Sequence, residues 1–146
     1  MPQILWEAEM GFSRHYLKEY NFMLTKITGE VNDQNLKQHV MSLNKETEGI
    51  SALRELADCR EIADMSHLTV KGTADCAQLE NKRPNSLLAL LVSDSKLLFG
   101  MARAYQTFSE DRRKETKIFK NLIDALGWLA RDEKEIEFLK EFIEKA

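Results

Sequence analysis

A chain of 146 residues with a formal net charge of −3 is one domain's worth of sequence, able to bury roughly two thirds of its unfolded surface without disulfides. Charges of both signs are spread along it, which excludes the basic footprint of a general nucleic-acid binder, and no apolar run approaches the roughly 18 residues of a membrane-spanning helix. Cys59 and Cys76 form neither a CxxC pair nor a metal-ligand cluster, and no basic leader with an apolar core opens the sequence. A reduced, cytoplasmic protein with no cofactor and no metal is expected.

Ile4, Trp6, Ala8 and Met10 alternate with Leu5, Glu7 and Glu9, the period of an edge strand with one apolar face, and Gly11 ends it. His15 to Tyr20 is ambiguous and fits a short second strand. Phe22 to Thr28 is a firmer strand closed by Gly29. The return into it is short, so the pair should be antiparallel, because a parallel return needs a long crossover. Asp33 is the cap expected for an amphipathic helix marked by Leu36, Val40 and Leu43, running to about Thr47 and stopped by Gly49. His39 on this helix is expected at the surface or in packing, not in catalysis.

Ile50 to Ile62 supports two readings. Ile50, Leu53, Leu56 and Ala57 fit a helix, and Leu53 to Cys59 fits a strand. A helix that ends at Gly49 should be followed by the next strand of a βαβ unit, so context favours the strand. Residues 60 to 73 then read as a long polar loop at the carboxyl end of that strand, where open α/β sheets collect ligands. Asp58, Arg60, Asp64, Ser66, His67 and Thr69 form the polar constellation there. The plainer reading is that Asp58 pairs with Arg60 or caps a turn, and that Ser66 or Thr69 starts a helix. Thr73 to Lys82 is a short helix, broken by Arg83-Pro84-Asn85.

Leu87 to Val92 is an unbroken apolar run closed by Ser93 and Asp94, as expected for a strand buried on both faces. Ser93 or Asp94 caps the next helix, in which Leu97, Met101, Ala104, Tyr105 and Phe108 form the buried face. Gly100 within it costs about 1 kcal/mol against alanine, which a close approach to the sheet would explain. Ser109 to Glu115 reads as a solvated charged loop, with Arg112 and Arg113 as minor binding candidates, and Thr116 to Phe119 as the last strand. Asn121 caps a helix whose buried stripe is Leu122, Ile123, Leu126 and Leu129, with Trp128 beside it. Asp132, with Glu135 three residues on, opens a further helix. Its stripe of Ile136, Leu139, Phe142 and Ile143, widened by Phe138, packs either on its own sheet or on a second copy of the chain, which would give a homodimer.

Several segments resemble one family in the expected order over residues 22 to 130. Glu55-Leu56-Ala57-Asp58-Cys59-Arg60-Glu61-Ile62 is similar to an "ELxDxRxV" stretch, and Gly100-Met101-Ala102-Arg103-Ala104-Tyr105-Gln106 to a "GMARxYQ" helix. Ile118-Phe119 through Ala125-Leu126-Gly127-Trp128-Leu129 resembles a "VFxxxxEALxWL" ending, and Gly29-Glu30-Val31 a "GEVT" strand end. These belong to the bacterial SpoIIAA-like, STAS-like proteins, related in fold to anti-sigma-factor antagonists and CRAL-TRIO domains. The resemblance implies an α/β single domain of β-α superhelical type: a mixed four- to five-stranded sheet packed with helices over residues 1–131, with 132–146 as an appended C-terminal helix. The antagonists carry a "DSSG"-type phosphoserine stretch after the third strand. Here the place reads Asp58-Cys59-Arg60-Glu61, which puts that switch in doubt.

Three functions are weighed. The first is a non-catalytic regulatory or interaction module presenting the loop after Asp58 to an unknown protein partner. The second is a carrier of a small apolar ligand or lipid, with Met101, Tyr105, Phe108 and Trp128 lining a pocket between helix and sheet. The third is an enzyme using Asp58, Arg60 and His67, although no GxSxG, HExxH or phosphate-binding glycine loop is present.

Overall fold

Leu88 and Leu90 point into one apolar layer and Leu87, Ala89 and Leu91 into another, so the strand that contains them is covered on both faces. The computed structural model describes residues 4–9 as backbone and residues 11–146 with their side chains. The strands are β1 (Ile4–Glu9), β2 (Phe12–Leu17), β3 (Phe22–Glu30), β4 (Arg54–Asp64), β5 (Arg83–Leu91) and β6 (Arg113–Phe119). They form one sheet in sequential order, antiparallel from β1 to β3 and parallel from β3 to β6. That is more strands than the four or five the resemblance implied. The ambiguous second strand exists but is displaced from His15–Tyr20: it runs Phe12–Leu17, aligned along β3 with Phe12 opposite Ile27 and Leu17 opposite Phe22, and Lys18–Tyr20 form a 3-10 turn. The apolar face expected of Ile4, Trp6, Ala8 and Met10 lies outside the described residues.

The helices are α1 (Asp33–Glu46), α2 (Val70–Leu79), α3 (Lys96–Phe108), α4 (Leu122–Leu129) and α5 (Glu133–Lys145). The first three are crossovers between successive parallel strands, all stepping in one direction across the sheet. Crossovers of one hand put their helices on one face. The other face is left to α4 and α5, the last segments of the chain. Val40, Ala57, Cys59, Leu88, Leu90 and Leu98 fill the first layer, and Phe22, Leu24, Leu56, Leu91, Leu126 and Leu139 the second.

Local chemistry sets the ends of these elements. Asn32, not Asp33, caps α1, in a reciprocal box with Asn35. Thr69 caps α2, which starts three residues earlier than its apolar pattern suggests. Ser95, not Ser93 or Asp94, caps α3. Asn121 and Asp132 cap α4 and α5 as expected. Gly11 sits at φ +80°, and a Cβ there would come within 2.5 Å of the Thr28 carbonyl oxygen, so the turn from β1 to β2 needs glycine.

Five expectations require correction. The strand predicted to end at Cys59 continues to Asp64, so residues 60 to 64 are strand and the loop is only Met65 to Thr69. β6 begins at Arg113, inside the supposedly solvated charge run, because Arg113 finds buried carboxylates. On α3 the sheet-facing line is Leu98, Met101, Ala102 and Tyr105, while Leu97 and Phe108 are 54% and 41% exposed. The helix is turned about one residue from the expected face, and that turn carries the Tyr105 hydroxyl to Glu80. A Cβ at Gly100 would meet nothing within 4 Å, so close approach to the sheet does not explain it. On α4 the buried line is Ala125, Leu126 and Leu129, with Ile123 exposed.

Candidate functional site

The polar constellation after β4 divides into separate local pairs. Asp58 accepts from the Arg60 backbone N–H (3.1 Å), Nε (2.9 Å) and Nη2 (2.9 Å), closing both side chains on each other along the strand. That hydrogen bonding, with the charges of Asp58, Glu61 and Glu144, holds the Arg60 guanidinium above its usual range against the effect of burial. Asp64 accepts the Ser66 N–H at 2.8 Å in a tight turn, which holds its carboxyl below the usual carboxylate range. Thr69 donates its N–H and its hydroxyl to the two Asp33 oxygens, each at 2.8 Å, and its Oγ1 accepts the Gly72 N–H. His67 is exposed on the loop.

The residues expected to share an apolar pocket lie on opposite sides of the sheet. Met101 and Tyr105 face the first layer. Phe108 is on the outer side of α3. Trp128 belongs to the second layer, 5.7 Å from the Phe119 ring centroid and under Lys117 Nζ. The reason is topological: α4 follows the last strand and covers the face that the crossovers leave open.

A crevice does exist on the Met101 side. It is a cavity of about 80 Å³ between the sheet and α1 to α3. Ile62, Met65, Leu68 and Leu98 surround it at the carboxyl ends of the strands, and Ala57, Leu90 and Met101 line its middle. Its inner end is ionic. Glu80 Oε1 accepts from Arg113 Nε (2.9 Å) and Arg83 Nη2 (3.1 Å), and its Oε2 accepts from the Tyr105 hydroxyl. Arg113 Nη1 lies 3.1 Å from Glu55 Oε1, an ionic contact without good hydrogen-bond alignment, while Glu55 Oε2 accepts from Thr25 at 2.6 Å. Two carboxylates face two guanidiniums, so the buried charge balances. Burial tends to lower the Arg113 guanidinium, but Glu80 and Glu55 outweigh it and raise the group above its usual range. Burial and then the Arg113 charge lower Arg83. Burial, reinforced by Glu80, pushes the Tyr105 hydroxyl well up, so it stays protonated and donates.

The pairing of Glu55 and Glu80 with Arg113, a residue the sequence offers only as a minor binding candidate, escapes a reading of the sequence because the partners are far apart along the chain. Glu80 and Arg83, three residues apart at the end of a predicted helix, were the one local signal. His39 is buried and stacked on Phe12, its Nδ1 3.0 Å from Arg14 Nη1, which is the packing role expected of it. Among the described residues no cluster of His, Cys, Asp and Glu is arranged to hold a metal ion.

No family model matches the chain, and no curated protein does. Among solved structures it superposes on an uncharacterised protein of the DUF3478 family with a SpoIIAA-like fold from Shewanella loihica PV-4. The TM-score is 0.51 at 19% identity, over 88% of this chain and 93% of that one. A likeness at that identity speaks to architecture, and with the sequential mixed sheet and its helices it shows that this chain has a SpoIIAA-like fold.

Proposed function

We propose that this SpoIIAA-like chain is a non-catalytic interaction module for a protein partner and works without a phosphoserine switch. The observation that carries the reading is the way polar groups at the carboxyl end of the sheet are bound within the fold. Asp58 holds Arg60, Asp64 holds Ser66, and Asp33 holds Thr69. An acid–base site needs such groups directed at a common space. The hydroxyl nearest a helix start, that of Thr69, is engaged as a cap. The exposed Leu97 and Phe108 on α3 offer apolar surface of the kind partners cover. A reduced cytoplasmic setting suits the two free, buried cysteines. No helix among the described residues is long and apolar enough to cross a membrane.

Native mass spectrometry of the chain purified from its host tests the reading. A stoichiometric protein adduct that is lost in Leu97→Asp supports it. Bare chain under every growth condition overturns it.

The apolar-ligand reading rests on the crevice. A cavity of about 80 Å³ is well under the roughly 300 Å³ at which small-molecule sites begin, so it admits a chain end or a very small apolar body, not a whole lipid. The same spectrum would show such a ligand as an added small mass. A homodimer through α5 is disfavoured by the burial of Leu139 and Ile143 within the chain itself, so a second copy would have to use another surface.

A further inference from the structure

α3 carries two apolar lines, and the fold uses one. Leu98, Met101, Ala102 and Tyr105 face the sheet, while Leu97 and Phe108 are exposed. Eleven residues separate Leu97 from Phe108, which at about 100° per residue returns to within about 20° of the same line, and Ala104 falls between them on it. Gly100 lies about 60° to the side, further from the sheet. It is exposed, and a Cβ built on it meets nothing within 4 Å, so no contact inside the chain accounts for a glycine there. A second helix lying across this face would account for it, because two helix axes come as close as about 8 Å only over residues this small.

The face is complementary to itself. When two identical helices pair antiparallel about a two-fold axis, the residues that meet are those placed symmetrically about one midpoint. Gly100 and Ala104 are centred on residue 102, Leu97 and Phe108 between 102 and 103, and Lys96 and Glu110 on 103. One axis therefore sets Gly100 against Ala104, Leu97 against Phe108 and Lys96 against Glu110. Small residues lie at the crossing, large apolar ones flank it, and opposite charges close both ends. Lys96 and Glu110 are exposed, and neither is held in an ion pair with another described residue. The two copies of Arg103 come closest near the axis, at the exposed rim, where salt screens their like charge.

We propose that a second copy of this chain docks on the outer face of α3, the two helices antiparallel about a two-fold axis at residues 102–103. The proposal rests on the reading of Leu97 and Phe108 as a partner surface, and it names the partner. α5 does not serve this purpose, since Leu139 and Ile143 are buried within their own chain. A foreign helix could cover the apolar line equally well. The charges favour a second copy, because Lys96 before the line and Glu110 beyond it match only when the same face is turned end for end.

The test is sedimentation velocity of the purified full chain over a concentration series from about 1 to 300 μM, which spans moderate to weak association. The dimer fraction should grow along the series. Leu97→Asp should weaken the dimer at least about tenfold and leave the urea transition of the dilute chain in place, because the side chain is exposed. Gly100→Gln should also weaken the dimer but raise the urea midpoint, since glutamine favours helix, and a folding defect cannot give that pair of signs. Lys96→Glu and Glu110→Lys should each weaken the dimer about tenfold. An equimolar mixture of those two variants should associate more tightly than either alone, because every end then pairs unlike charges. A chain that stays monomeric across the series overturns the proposal. Host-purified chain carrying a different protein would still uphold the partner surface, so the two readings fail separately. A dimer unchanged by both Leu97→Asp and Gly100→Gln overturns the placement on α3, and a mixture no tighter than its components overturns the antiparallel pairing.

Discussion

Arg113 grips Glu80 through two nitrogens, Nε at 2.9 Å and Nη2 at 2.6 Å from the same carboxylate oxygen. Both side chains are buried, Arg113 at 5% exposure. The pair ties the end of α2 to the sheet edge at β6, and through Glu55 it ties β6 to β4, two strands away. Replacing both partners with apolar residues is a different matter from breaking the pair. Breaking it strands a charge in the interior.

Arg113→Met should therefore cost on the order of 3–5 kcal/mol, since Glu55 and Glu80 are left short of their cation. Arg113→Lys should cost less but still destabilise, because a lysine cannot reproduce the forked contact. Urea denaturation at neutral pH measures both. A loss for Arg113→Met of under about 1 kcal/mol would contradict the role given to the pair.

Stability should fall at alkaline pH. Burial, then the charges of Asp58 and Glu55, push the Cys59 thiol up to about 12 from an ordinary 9.0. Burial and Glu80 also raise Tyr105. Both groups are neutral when protonated, and both release their proton more readily in the unfolded chain. Their contribution is intact below the unfolded values and is lost as pH rises towards the folded ones. Stability should be level to about pH 8.5 and decline from about pH 9 upward. Cys59→Ala should flatten the early part of that decline. In the native state Cys59 should react with a thiol reagent only as fast as the chain opens.

The central strand was legible because Leu87 to Val92 is apolar without interruption, and its short length and polar stop at Ser93 favour a strand covered on both faces over a buried helix segment. The caps at Thr69, Asn121 and Asp132 were legible because a cap is a local hydrogen bond. The facing of α3 was not. Two apolar lines run along it, and the choice between them depends on Glu80, far away in the sequence. Arg113 reads as solvated in a run of charges, and its burial depends on carboxylates from two other segments. The polar constellation was a candidate site set beside a plainer description, Asp58 paired with Arg60 and Thr69 at a helix start, and that plainer description is how the structure arranges those residues.

Gly72 depends on its missing side chain although its backbone is ordinary. A Cβ there would collide with the Asp33 carboxyl that accepts both Thr69 hydrogen bonds. Gly72→Ala would gain helix propensity and displace that carboxylate. The two lost Thr69–Asp33 bonds are expected to win, for a net cost of about 1 kcal/mol. Thr69→Ala should cost about 0.5–2 kcal/mol, because it removes the cap to the Gly72 N–H together with the hydroxyl bond to Asp33. In the double variant the two costs should fall short of their sum, because both remove the bond from the Thr69 hydroxyl to Asp33. Full additivity in thermal denaturation would separate Gly72 from that bond.

α5 should behave as part of the core. Leu139 is fully buried and packs with Leu24, Leu56 and Leu126, and Ile143 joins the same layer. Arg54 fastens the helix by donating Nη1 to the Leu129 carbonyl at 2.8 Å and pairing with Glu135, while Nη2 reaches the Tyr20 carbonyl. Leu139→Ala should cost roughly 2–5 kcal/mol. Deleting residues 132 to 146 would bare one face of the sheet over Leu24 and Leu56, and would leave Arg54 without its carboxylate. The shortened chain should therefore aggregate or lose its cooperative urea transition. A helix that served only to join two copies would give another result: a well-folded monomer of unchanged stability, which size-exclusion chromatography with light scattering and a urea titration would reveal.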